Sequence, residues 1–105
     1  MPPDPAEVLQ LVCSALEQFL RDTRRPVPDG GVLADTTAYG PDGLLDSLGL
    51  VGFVADVEAR MAEAYGRDVI LADERAMSRR RSPFRSPRTL TELVCERLAE
   101  RNAGP

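Results

Sequence analysis

The sequence predicts an all-α domain: a small four-helix bundle with a short third helix and a long loop between the first two helices. Three observations predict it. Apolar residues recur at three- and four-residue steps in three separate segments. Each of those segments opens on a residue suited to cap a helix. The one strand-like run, Val69-Ile70-Leu71, has no second run to pair with. At 105 residues the chain has room for one core, so a single domain over residues 1–105 is expected.

The first helix, α1, is expected over about residues 5–21, where Val8, Leu9, Val12, Leu16, Phe19 and Leu20 share one face. Asp4 suits the N-cap, Pro5 the first helical position, and Glu7 completes a capping-box spacing. Pro26-Val27-Pro28-Asp29-Gly30-Gly31 belongs to a loop over residues 22–46, with further turns at Tyr39-Gly40-Pro41 and Asp42-Gly43. A loop of that length fits a compact domain when it is functional or locally packed. Val32, Leu33, Leu44 and Leu45 are the apolar residues available to pin it.

The second helix, α2, is expected over about 47–65: Leu48, Val51, Val54, Val57 and Met61 recur at helical steps and Gly66 stops it. Val69-Ile70-Leu71 then reads as a loop anchored in the core. An Arg-rich linker over about 72–88 follows, with space for a turn or two of helix, α3, from Ala72 to Ser78 and another turn around Phe84. The last helix, α4, is expected over about 89–100, opened by a Thr89/Glu92 capping box and carrying the apolar stripe Leu90, Leu93, Val94 and Leu98.

The missing residue types exclude much chemistry. All 13 cations are Arg, set against 17 acids with no His, for a net charge of −4. Without His there is no imidazole base or His metal ligand; without Lys there is no Schiff base and no P-loop lysine. Cys13 and Cys95 lack the CxxC spacing of a zinc or redox site and read as buried thiols in a reducing compartment. No catalytic residue and no metal site is therefore expected. Acidity also disfavours nucleic acid as a partner, although the charge is uneven. Residues 1–66 carry 4 Arg and 11 acids, whereas residues 67–105 carry 9 Arg and 6 acids. The chain has no basic, apolar leader and no run near the ~18 apolar residues that cross a bilayer. A cytoplasmic monomer without a membrane partner is the expectation.

The segment most informative about chemistry is Gly43-Leu44-Leu45-Asp46-Ser47-Leu48-Gly49-Leu50-Val51, which puts a serine where a glycine-containing loop meets an amphipathic helix. A hydroxyl there is exposed by the loop and backed by first-turn amides, whose partial positive charge favours a phosphate ester. Local residues leave two readings open: a serine that is modified, or an Asp46 or Ser47 that merely caps the helix.

The chain as a whole resembles the acyl carrier protein family, which includes acyl, aminoacyl and peptidyl carriers. Asp46-Ser47-Leu48 match the family's Asp-Ser-Leu signature, and Leu44-Leu45 match the apolar pair before it. Val51, Val54, Val57 and Glu58 follow at the family's steps along the second helix, and Thr89-Leu90 match the pair that opens its last helix. The resemblance spans nearly the full domain. It implies that Ser47 accepts 4'-phosphopantetheine from coenzyme A, transferred by a separate phosphopantetheinyl transferase with magnesium, and that the protein is a carrier and not an enzyme. It implies for Asp46 either recognition by the transferase or capping of α2, and for Leu48 either docking beside the arm or a place at the edge of the core. The expected function is a freestanding acyl carrier of polyketide- or fatty-acid-like specialised biosynthesis, served by a loading ligase or transferase and by ketosynthase- or condensation-type enzymes. Alternatives are an aminoacyl or peptidyl carrier of a nonribosomal-peptide-type pathway and, more remotely, an unmodified interaction module.

Two departures from the family bear on partners. Gly49 and Gly52 stand where acids are common in the family, which removes charge and weakens the first turns by roughly 0.5–1 kcal/mol each relative to Ala. Docking through Leu48, Leu50 and Phe53, with Asp56 and Glu58, is therefore expected, although helical phase leaves Phe53 equally open to a core role. The linker is the second departure, with Arg75, Arg79, Arg80, Arg81, Arg85 and Arg88 and no acid from Ala76 to Arg88. It is either a specificity element for an acidic partner or the arm's phosphate, or a solvated loop.

Overall fold

A computed structural model describes residues 3–66, 68–78 and 82–103. Among them the regular structure is helical: α1 (Pro5–Asp22), α2 (Ser47–Tyr65), α3 (Glu74–Met77) and α4 (Pro87–Ala103), with one isolated bridge between Tyr39 and Leu45. Since α3 is a single turn, three helices carry the domain, and α1 lies against both α4 and α2.

The central place of α1 follows from its stripe. Val8, Val12, Ala15, Leu16 and Leu20 are buried, and each large side chain taken out of water contributes roughly 1.5–3 kcal/mol. Asp4 caps the helix by accepting from the Ala6 amide at 3.0 Å. In α2 the buried face is Leu50, Phe53, Val54, Val57 and Met61, so Leu48 and Val51 turn outward, 83% and 69% exposed, although both share the helical spacing of Val54, Val57 and Met61. Gly66 ends α2 with a left-handed φ of 66° and its amide on the Ala62 carbonyl, a conformation glycine adopts without steric cost.

Residues 69–71 alternate: Val69 and Leu71 are buried while Ile70 is 67% exposed, as extended backbone dictates. The Leu71 amide donates to Glu58 Oε2 at 2.8 Å, tying the run to α2. The expected turn of helix at Phe84 is instead a hydrogen-bonded turn, Arg85 amide to Ser82 carbonyl, with the Phe84 ring buried. α4 begins two residues before Thr89, and its cap is not the Thr89/Glu92 box. Ser86 and Thr89 bond reciprocally, each amide donating to the other's hydroxyl at 3.1 and 3.3 Å. Pro87 at the first helical position explains the earlier start, because a missing amide hydrogen loses nothing there. Leu90, Leu93, Val94 and Leu98 are buried as the stripe implies.

The long loop is locally packed. Val32, Ala38 and Leu45 reach the core, Leu44 packs at its edge and Leu33 stays exposed. The Val32 amide donates to Glu17 on α1 at 2.9 Å, and the Arg88 amide at the head of α4 donates to the Ala34 carbonyl at 2.9 Å. The Arg88 guanidinium also grips Asp35 through Nε at 2.7 Å and Nη2 at 3.1 Å, so this linker arginine fastens the protein's own loop. Arg79, Arg80 and Arg81, and the side chain of Arg75, lie outside the described residues.

The Arg88 fork holds the Asp35 carboxyl below its ordinary range, by hydrogen bonding first and charge second. A carboxyl lowered in the folded state adds stability above its unfolded value and loses it as pH falls through the folded one. The carboxyl carbon of Asp35 is expected to titrate with a midpoint below about 3.9 by NMR. In Arg88→Ala that midpoint returns to the ordinary range; a midpoint that does not move on this substitution refutes the clamp.

Candidate functional site

Ser47 is the first residue of α2 and is exposed. Asp46 supplies the cap: its Oδ1 accepts from the Gly49 amide at 2.7 Å, and its carbonyl accepts from the Leu50 amide at 2.8 Å. No acid stands in the first turn, so the positive end of the helix dipole under Ser47 meets only the cap carboxylate. That carboxylate lies 3.5 Å from Arg25 Nη2, and the Arg25 guanidinium sits over the Phe19 ring at 5.7 Å. On the loop side the Tyr39 hydroxyl is 3.4 Å from Ser47 Oγ. A serine oxygen is thus presented to solvent with a phenol at its side, the cap carboxylate before it and a guanidinium against that cap.

Gly49 and Gly52 acquire a structural reason here. A Cβ on Gly52 would stand 3.1 Å from two atoms of the Phe19 ring, and one on Gly49 would stand 3.1 Å from Arg25 Nη2 and from Asp46 Oδ1. The first turns of α2 accept a weak helix former because the end of α1 and its following residues press against them. Phe19 in turn meets Phe53 at a tilted 6.1 Å between centroids.

An apolar groove of about 360 Å³ begins about one turn along α2 from Ser47, lined by Leu50, Val51, Val54, Ile70, Met77 and Phe84, with Glu58 among its walls. Ile70 and Met77 are 67% and 64% exposed, and with Leu48 and Val51 they make up most of the exposed large apolar side chains among the described residues.

The expected docking residues divide. Leu48 is exposed beside Ser47. Leu50 is a core residue, 8% exposed and part of the groove lining, which corrects its expected place on a docking face, and Phe53 has the core role of the two left open for it, 2% exposed and tilted against Phe19. Asp56 pairs with Arg60 one turn on at 3.0 Å, and Glu58 is engaged by the Leu71 amide, so neither is a free surface charge. Asp46 has the capping role of the two expected for it. Tyr39, Arg25, Ile70 and Met77 were not singled out as site residues from sequence. Tyr39 carried only a turn signal, since its approach to Ser47 depends on how the loop folds back.

Other reactive groups are less available. Burial, then the nearby Glu17, pushes the Cys13 thiol up; burial, then Asp4, does the same for Cys95. Both thiols thus move away from the reactive thiolate form. Among the described residues no group of three or more His, Cys, Asp or Glu stands together to hold a metal ion, and no helix is long and apolar enough to cross a membrane.

No family model matches the chain, and neither a curated protein nor a solved structure matches it.

Proposed function

We propose that this chain is an acyl carrier domain, with 4'-phosphopantetheine joined to Ser47 and the cargo held as a thioester on the arm's terminal thiol. The observation that carries the reading is the exposed Ser47 hydroxyl at the capped head of α2, inside the Asp46-Ser47-Leu48 signature and on the helix whose next turn lines an apolar groove. In the attachment step the Ser47 oxygen forms a new bond to phosphorus and the pyrophosphate linkage of coenzyme A breaks. Adenosine 3',5'-bisphosphate leaves, and the hydroxyl proton passes to a base of the transferase. Ser47 is an acceptor; catalysis belongs to the transferase and to the loading and condensing enzymes that the arm visits. The flexible tether raises the effective concentration of cargo at each of those sites.

On this reading the three long helices and the short α3 form the four-helix bundle of a carrier, working in the cytoplasm. The resemblance covers acyl, aminoacyl and peptidyl carriers alike, and the apolar lining of the groove is what favours an acyl cargo. An aminoacyl or peptidyl cargo uses the same attachment chemistry and is the second reading.

The test is direct. Incubated with coenzyme A, Mg²⁺ and a broad-specificity phosphopantetheinyl transferase, the protein is expected to gain one phosphopantetheine group by intact mass. Ser47→Ala, a truncation at an exposed position with a stability effect within about 0.5 kcal/mol, is expected to gain none. No added mass on the wild type with a transferase active on a control carrier removes the proposal and leaves the unmodified interaction module.

A further inference from the structure

We infer that Tyr39 is a positioning residue for the phosphodiester formed on Ser47, an inference that rests on the attachment reading above. The phenol oxygen stands 3.4 Å from Ser47 Oγ, and the surrounding backbone fixes that approach. Tyr39 bridges to Leu45, the Leu45 amide donates to the Ala38 carbonyl at 2.8 Å, and the Ala38 amide donates to the Arg85 carbonyl at 2.6 Å. Between Tyr39 and Leu45 the chain closes a turn, with the Gly43 amide on the Gly40 carbonyl at 2.9 Å and Asp42 in a left-handed conformation that a short polar residue tolerates. The tyrosine ring packs against the core, so only two side-chain angles place its hydroxyl. Leu45 is buried and leads straight into the cap and Ser47, and one braced frame carries both hydroxyls.

The separation says which state of Ser47 the phenol serves. A good O–H···O bond spans about 2.7–2.8 Å, so the phenol holds the bare serine only loosely. Esterification surrounds Oγ with anionic non-bridging oxygens, and an acceptor of that kind draws a hydroxyl to about 2.5–2.7 Å. Tyr39 donates a hydrogen bond to one of these oxygens and restricts the first rotatable bonds of the arm. It takes no part in the transfer itself, in which the serine proton goes to the transferase.

Wild-type protein and Tyr39→Phe, which keeps the ring and its packing, are loaded from coenzyme A with Mg²⁺ and a transferase and compared by NMR. In the wild type, Overhauser contacts are expected between the Tyr39 ring protons beside the hydroxyl and the first methylene of the arm. In Tyr39→Phe the phosphorus resonance is expected to shift, with the pinned phosphate roughly two- to tenfold less populated, the loss of one hydrogen bond. A merely structural tyrosine leaves that resonance where it was. An unchanged resonance together with no Overhauser contact overturns the inference while Ser47 attachment stands. A wild type that gains no arm overturns both, and intact mass reports it before any resonance is recorded. If Tyr39→Phe fails to fold, the wild-type contact decides alone: present it supports the inference, absent it overturns it.

Discussion

Phe53→Ala is expected to destabilise the fold by about 3–5 kcal/mol, against a total of about 5–15 kcal/mol for a domain of ordinary stability. The ring is 2% exposed and tilted against Phe19, whose own edge lies on Gly52. Truncation therefore empties a cavity at the point where the end of α1 meets the first turns of α2, and close neighbours resist collapsing into it. Leu48→Ala, five residues earlier and 83% exposed, is expected to change stability by no more than about 0.5 kcal/mol. The two are expected to leave opposite signatures: Phe53→Ala lowers the urea midpoint steeply, whereas Leu48→Ala, on the proposed carrier function, raises the KM of the transferase for the protein at an unchanged midpoint. A Phe53→Ala protein with wild-type stability and a raised KM would return Phe53 to the docking face.

The second large effect is expected at Asp73. Its Oδ1 accepts from the Ala76 amide at 2.9 Å, capping α3, and from Arg97 Nη2 at 2.8 Å, joining α3 to α4. The pair is unequal in exposure, with the Arg97 side chain 6% exposed and that of Asp73 30%. Asp73→Ala removes the N-cap of α3, worth about 0.5–2 kcal/mol, together with a charge-assisted hydrogen bond to Arg97, worth about 1.5–3 kcal/mol. Arg97→Met instead removes the buried charge and leaves a carboxylate that water reaches and the Ala76 amide still uses, so its cost is expected to be clearly smaller. Denaturant unfolding of both variants checks the asymmetry, and amide exchange at Ala76 and Met77 reports the loss of α3. Equal costs, or an Asp73→Ala cost below 1 kcal/mol, would show that the pair is solvated.

Both effects lie where local pattern was least informative. The stripes of α1 and α4, the Gly66 stop and the capping of α2 by Asp46 were legible because each depends on residues within about four positions along the chain. Ser47 was legible for the same reason: a serine next to a capping aspartate at a loop-to-helix junction is defined by its immediate neighbours. The start of α4 was misread because Ser86-Pro87 and Thr89/Glu92 are both acceptable openings, and the reciprocal bonds of Ser86 with Thr89 selected the first.

The orientation of α2 was not legible. Leu48, Leu50, Val51, Phe53 and Val54 spread apolar side chains around much of its first turns, so periodicity offers more than one inward face. The side on which α1 lies made the choice, burying Leu50, Phe53 and Val54 and leaving Leu48 and Val51 beside the serine. Gly52 is explained only by the Phe19 ring 33 positions earlier, and Tyr39 meets Ser47 only because its loop is anchored to Arg85. The sequence alone therefore determined an all-α chain with one exposed hydroxyl at a helix head. The tertiary structure decided which apolar residues surround that hydroxyl and which phenol faces it, because contacts between distant residues depend on how the helices pack and carry no period along the chain.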